Sequence, residues 1–81
     1  MEKDKKEFYK IIANNVKRIR KQKKISQLDL ALEIGINSVA FYSNCENLRY
    51  GKHFNLEHLY KLSIALNVDI CDFFEGLSKK S

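Results

Sequence analysis

The 81-residue chain has no proline or tryptophan, and only three glycines. Proline and glycine interrupt helices and mark the turns of sheet proteins, so their scarcity favours helical segments. Apolar residues make up 44% of the chain, enough for a packed core although 31% of the residues are charged. A chain this short has room for one core. We therefore expect an all-α fold and a single domain over residues 1–81.

Long apolar runs are also missing. No stretch approaches the run of about 18 apolar residues that a membrane span needs, and residues 1–6 contain no apolar core of a secretion signal. A cytoplasmic protein is expected. Cys45 and Cys71 stand alone among apolar helical positions and predict buried free thiols. No acidic residue or cysteine that could complete a metal site accompanies His53 and His58 in the sequence. We expect both to be surface histidines, and we expect no metal and no cofactor.

Catalytic groupings are a further absence. No nucleophile accompanies a base and an orienting acid, and there is no glycine-rich phosphate loop, so we expect no enzyme. Positive charge is abundant: the net charge is +5. It favours a polyanionic partner, although a solvated helix end would carry the same residues. The basic residues that crowd the end of the first predicted helix are Lys17, Arg18, Arg20, Lys21, Lys23 and Lys24.

Apolar residues recur at helical spacing in five successive segments, and capping residues mark their ends. Ser26 and Asp29 form a relaxed capping box that predicts a helix start, and Gly35 predicts its left-handed end. Asn37 is expected to cap the next helix, and residues 47–54 to form a loop. The predicted helices run from about Lys5 to Lys23, from Ser26 to Ile34, from Ser38 to Glu46, from the cap Asn55 to Asn67, and from Val68-Asp69 onward.

The second and third predicted helices are short and are joined through Gly35-Ile36-Asn37. A connection of this kind allows the later helix of the pair to enter the major groove of DNA. Such pairs also occur in proteins that bind no DNA, so the surrounding motifs matter. These motifs are Val16-Lys17-Arg18-Ile19-Arg20, Ile25-Ser26-Gln27-Leu28-Asp29-Leu30-Ala31, Ile34-Gly35-Ile36-Asn37, Glu46-Asn47, and the stretch from Leu56 to Asp69. Over about residues 11–74 the sequence resembles the phage repressor and Cro-type helix-turn-helix family, also called the xenobiotic-response-element family. Restriction-modification controller proteins, short antitoxins and phage regulators share this layout.

The resemblance implies a lambda-repressor-like domain of five helices, with the helix-turn-helix formed by the second and third. It also implies a transcriptional regulator, a repressor or autoregulator, that binds double-stranded DNA at a short palindromic operator as a homodimer. The alternative is an antitoxin or another interaction module whose main partner is a protein such as a toxin.

Site residues follow from the same resemblance. Arg20 and Glu46 match a pair that forms a structural salt bridge, and Gln27 matches a residue that contacts phosphate and braces the recognition helix. Base contacts are expected at the start of that helix: Asn37, Ser38, Val39, Ala40, Tyr42, Ser43 and Asn44. The expected phosphate contacts are Gln27, Lys17, Arg18, Lys21, Lys24, Asn47, Arg49 and Lys52.

The recognition helix departs from the family's spacing. The distance from Gly35 to Glu46 is longer by a single residue, and the following loop is also longer. Either Phe41 and Cys45 face the core and Tyr42 faces outward, or Tyr42 and Cys45 face the core and the turn absorbs the extra residue. We favour Phe41 inside, because this leaves Tyr42 available to DNA.

Two further expectations concern packing. Phe54 is expected to pack under the fourth helix and not to stack on a base. The last helix carries more apolar surface than so short an element can bury. Ile70, Phe74 and Leu77 are therefore the predicted dimer interface.

Overall fold

The computed structural model describes residues 2–77, and its regular elements are all helical. The four α-helices are α1 (Glu2–Gln22), α2 (Gln27–Glu33), α3 (Val39–Asn47) and α4 (Leu56–Leu66). Short 3₁₀ helices follow α3 at Arg49–Gly51 and α4 at Ile70–Phe74. No strand occurs within the described residues.

The predicted fifth α-helix is wrong. Asp69 caps the segment as expected, since its carboxylate accepts from the backbone N–H of Cys71 at 2.9 Å. The backbone turns extended again at Glu75, and Gly76 has a φ of +93°. Only Ile70–Phe74 is left, and a stretch that short takes the tighter 3₁₀ form.

The core forms where α1 packs against α3, α4 and the 3₁₀ segment Ile70–Phe74, while α2 packs on α3 and α4. Each α-helix presents one face to it at spacings of three and four residues, as the apolar periodicity predicts. The buried apolar side chains include Ile12, Val16 and Ile19 of α1, Leu30, Ala31 and Ile34 of α2, Tyr42 and Cys45 of α3, and Leu59, Leu62 and Leu66 of α4.

The ends of α2 are confirmed. The Ser26 hydroxyl accepts from the backbone N–H of Asp29 at 3.0 Å. Gly35 has a φ of +83°, and the N–H of Ile36 then donates to the carbonyl of Ala31 at 2.8 Å. This left-handed exit ends α2 and sets the direction in which the chain approaches α3.

The start of α3 differs from the expectation. Ser38 and not Asn37 is the cap, and its hydroxyl accepts from the N–H of Phe41 at 3.1 Å. The turn therefore absorbs the extra residue, and α3 is shifted by one position relative to the favoured alignment. Tyr42 and Cys45 are fully buried while Phe41 is half-buried. Phe41 as the buried anchor was the wrong alternative.

Both ends of α4 are confirmed. Asn55 and His58 form a capping box in which each side chain accepts from the other residue's backbone N–H, at 2.7 and 3.0 Å. His58 is therefore half-buried and structural, unlike the surface histidine predicted. Asn67 takes the left-handed conformation, with a φ of 57°. Phe54 is buried, as predicted, and its ring centroid lies 5.4 Å from that of Tyr42.

The two cysteines differ: Cys45 is buried as predicted, but Cys71 is exposed. No helix in residues 2–77 is long and apolar enough to cross a membrane. The same residues contain no group of three or more His, Cys, Asp or Glu side chains that could hold a metal ion.

The cap of α3 gives a direct test of its register. We expect Ser38→Ala to lower the free energy of unfolding by about 1 kcal/mol, because the N–H of Phe41 loses its acceptor. Asn37→Ala is the matched control and should change stability by less than about 0.5 kcal/mol. Urea unfolding of both variants measures this. The reverse order of effects would restore Asn37 as the cap.

Candidate nucleic-acid interface

A buried carboxylate joins the first three helices. Glu46, near the end of α3, is 1% exposed and accepts from three side chains, which together with it form the Glu46 cluster. Arg20 of α1 donates through Nε to Oε2 at 2.9 Å and through Nη2 to Oε1 at 3.1 Å. Gln27 of α2 donates to Oε1 at 2.8 Å, and the Tyr42 hydroxyl donates to Oε2 at 2.8 Å. The position of α3 is thus fixed against both α1 and α2.

The donors of the Glu46 cluster stabilise the negative charge of its carboxylate. Burial disfavours the charged form of Glu46, but the hydrogen bonds from Arg20, Gln27 and Tyr42 outweigh it and lower the pKa of this carboxyl. The hydrogen bond to Glu46 raises the pKa of Arg20, and burial raises that of Tyr42. Arg20 also donates to the carbonyl of Ile25 at 2.8 Å, which holds the turn between α1 and α2.

Tyr42 was predicted to contact bases, and this is wrong because its side chain is fully buried. The core accepts a tyrosine here because Glu46 satisfies its hydroxyl. The sequence held a signal for this contact, since Tyr42 and Glu46 are four residues apart and share a helix face. The favoured alignment placed Tyr42 outward and so missed it.

The other predicted base-contact residues lie at the surface. Asn37 is exposed in the turn before α3. Ser38, Val39 and Ala40 are exposed, and Ser43 and Asn44 are half-buried. We call Ser38, Val39, Ala40, Ser43 and Asn44 the α3 outer face. It carries small and neutral side chains, so the positive charge around it must come from neighbouring elements.

Lys17 provides charge on one side of α3. Its ammonium donates to Oδ1 of Asn47 at 2.9 Å, and the Asn47 amide donates to the carbonyl of Ser43 at 2.9 Å. This chain of hydrogen bonds brings Lys17 and Asn47 next to the α3 outer face. Lys21 and Lys24 are exposed farther along α1 and just beyond its end.

Arg18 is not brought to this surface. Its guanidinium donates to Glu75 at 3.3 Å and to Asn15 at 3.2 Å, while Asn15 donates to the carbonyl of Phe73. Consecutive helical residues point about 100° apart, and Arg18 therefore projects to the flank of α1 that meets the 3₁₀ segment Ile70–Phe74. Arg18 therefore connects α1 to Glu75, the residue that follows the 3₁₀ segment.

The loop after α3 places positive charge on the side of α3 away from Lys17. Lys52 places its ammonium 6.0 Å from the ring centroid of Phe41, and Arg49 is exposed. Leu48, Tyr50 and Gly51 all have left-handed backbone angles, between 56° and 71° in φ. These angles coil the loop tightly against the end of α3.

The predicted dimer residues Ile70, Phe74 and Leu77 are half-buried and pack against the core. The apolar excess expected on this segment is reduced because Phe73 is fully buried. The larger exposed apolar surface lies on α4, where Leu56, Tyr60 and Ile64 recur every fourth residue and are 74%, 60% and 63% exposed.

Comparison with known proteins finds a matching family. The model of a family described as helix-turn-helix matches residues 16–73, well over half of the 81-residue chain. The match begins in the middle of α1 and ends within the 3₁₀ segment Ile70–Phe74. No curated protein and no solved structure matches the chain significantly.

Tyr42→Phe tests the contribution of the buried hydroxyl. We expect a loss of about 1–2 kcal/mol in the free energy of unfolding, because Glu46 loses one buried donor while the ring remains in place. Tyr60→Phe, on the exposed face of α4, is the matched control and should be nearly neutral. Equal stability of the two variants in urea unfolding would contradict the role given to the hydroxyl.

Glu46→Gln tests the charge and its pH dependence. At pH 7 the variant should lose about 3 kcal/mol, since Arg20 is left in a buried site without its counter-ion. The folded-state pKa of Glu46 lies below its usual value of 4.5, so its contribution is complete above that pH and is lost as the pH falls through the folded-state pKa.

The difference in stability between wild type and Glu46→Gln should therefore shrink on acidification. Unfolding of both proteins between pH 7 and about pH 3 measures it. Glu57→Gln, in the exposed pair with Lys61, serves as the control and should show only a small difference at any pH. A Glu46→Gln deficit that persists unchanged at the acid end would refute the assignment.

Proposed function

Because this chain belongs to the XRE-type helix-turn-helix family of DNA-binding transcription regulators, we propose that α2 and α3 form its helix-turn-helix and that α3 enters the major groove of double-stranded DNA. The observation that carries this proposal is the Glu46 cluster. The cluster holds α3 by its inner face, so the α3 outer face remains at the protein surface, and none of its residues is acidic.

The chemistry of the α3 outer face sets what it can recognise. Asn44 is the residue with donors and an acceptor for a bidentate contact, the geometry that suits adenine. Val39 and Ala40 can contact thymine methyl groups, and Ser38 and Ser43 can bond to either kind of base. With no arginine or glutamine on this face, direct readout is modest, and DNA shape supplies part of the specificity.

Phosphate contacts are proposed on both flanks of α3. Lys17, Asn47, Lys21 and Lys24 lie on the α1 side, and Arg49 and Lys52 lie on the loop side. Gln27 uses one amide N–H on Glu46, and its second N–H is proposed to donate to a phosphate. Arg18 was also predicted here, but its guanidinium pairs with Glu75 on another flank of α1, and the proposed set therefore leaves it out.

We further propose that the protein acts as a repressor or autoregulator and binds a short palindromic operator as a homodimer. A single α3 covers too few bases for useful specificity, and two copies related by a two-fold axis read two half-sites. Ile70, Phe74 and Leu77 are the proposed contacts between subunits. The exposed apolar residues of α4, which packs on the same 3₁₀ segment, add to that surface.

Selection from random duplex DNA tests the binding mode. We expect the enriched sequences to contain two inverted half-sites with centres about one helical turn, roughly 10 base pairs, apart. Asn44→Ala should lose preference at one position of each half-site and keep the rest. A single asymmetric site would contradict the homodimer, and the absence of any enriched sequence would contradict the proposed function.

Salt dependence tests the phosphate contacts. Lys17→Gln and Lys52→Gln should each weaken binding for every sequence and reduce the slope of log K against log salt by about 0.9, because one fewer counterion is released. Lys61→Gln, on α4, is the control and should leave the slope unchanged. Fluorescence anisotropy with the selected DNA at several salt concentrations measures this. Equal slopes for all three variants would remove Lys17 and Lys52 from the interface.

A further inference from the structure

A cleft lies between the first turns of α1 and the loop after α3, outside the α3 outer face. Its volume is about 670 Å³, within the range of roughly 300–1,000 Å³ typical of small-molecule sites. Lys5 and Lys6 line it from α1, and Lys52 lines it from the loop. The loop after α3, which is longer than the family's spacing, forms the side of the cleft that faces α1. Of the proposed DNA contacts, Lys52 alone also lines the cleft.

The charge of the cleft has one sign. Three lysines line it, and none of the described residues in its lining is acidic. Like charges held near one another repel, and a bound anion relieves that repulsion. Several ammonium groups around one space favour a multiply charged group such as a phosphate over a single carboxylate.

A stacked pair of aromatic rings also lines the cleft, and we call this pair the Tyr9–His53 wall. The rings of Tyr9 and His53 stack with their centroids 3.8 Å apart and 18° between their planes. Nδ1 of His53 lies 3.3 Å from the carbonyl oxygen of Phe54, a buried residue, and this contact holds the imidazole in place. The wall is therefore formed before any ligand arrives, which lowers the entropic cost of binding.

We propose that this cleft binds a small planar organic phosphate of the mononucleotide class. The phosphate lies among Lys5, Lys6 and Lys52, and the planar ring stacks against the Tyr9–His53 wall. Charge and aromatic surface thus recognise different parts of one molecule. A ligand with only one of the two parts binds more weakly.

A regulatory consequence rests on the proposed function. Lys52 lines the cleft and is also a proposed contact to DNA, so a phosphate bound in the cleft neutralises a charge that DNA uses. Ligand and DNA then weaken each other's binding by the same factor, as linkage requires. The ligand would act by releasing the protein from DNA.

Calorimetric titration of the DNA-free protein with AMP, adenosine and inorganic phosphate tests the site. We expect saturable binding of AMP, with adenosine and phosphate each at least about tenfold weaker. Tyr9→Leu should weaken AMP at least about fivefold and leave phosphate unchanged. Lys6→Gln should weaken both AMP and phosphate.

Lys61→Gln and Glu57→Gln, both on α4, are the matched controls and should bind AMP as wild type does. If Tyr9→Leu does not fold by circular dichroism, the double variant Lys5→Gln with Lys6→Gln replaces it, with a loss of AMP binding expected. The proposal is overturned if AMP gives no saturable heat, or if the controls lose as much affinity as the cleft variants. It is also overturned if the cleft variants bind AMP as tightly as wild type does. None of these titrations contains DNA, so their outcome is independent of whether the proposed function holds.

Discussion

The carboxylate of Glu46 is the constraint on which the arrangement of the helices depends. It is almost fully buried, and each of its two oxygens accepts two hydrogen bonds, from Arg20 and Gln27 or from Arg20 and Tyr42. Leaving a buried charge unmatched is costly, so the three helices that supply the donors have little freedom to move independently. One side chain near the end of α3 thereby fixes the angle at which α3 leaves the body of the protein.

This constraint explains the division of α3 into two faces. Tyr42, Cys45 and Glu46 are the buried residues of α3, and they form its inner face. Small, neutral residues are left on the outer face, with Lys17 and Asn47 on one flank and the Lys52 loop on the other. In the proposed interface, specificity and electrostatic affinity therefore come from different elements. The loop after α3 takes part in both the proposed DNA surface and the cleft beside it.

The sequence predicted the elements better than the register within them. Caps such as Ser26, Gly35 and Asn55 act over three or four residues, so local rules place them correctly. The register of α3 was predicted wrongly because two adjacent aromatic residues, Phe41 and Tyr42, were both plausible anchors. Tyr42 is the buried anchor because its hydroxyl donates to Glu46. That carboxylate also needs donors from Arg20 and Gln27 on other helices, which the local sequence of α3 does not show. The prediction of a fifth α-helix was wrong because the backbone turns at Glu75 and Gly76. This turn limits the last segment to a 3₁₀ helix.

The proposed DNA-binding surface of this protein lies opposite the Glu46 cluster. Amide chemical-shift mapping by NMR during titration with a selected duplex tests it most directly. We expect the largest shifts on residues 37–44 and on the amides at the start of α2, with smaller shifts at Lys17 and Lys52. Shifts concentrated on the exposed residues of α4, with residues 37–44 unaffected, would contradict it.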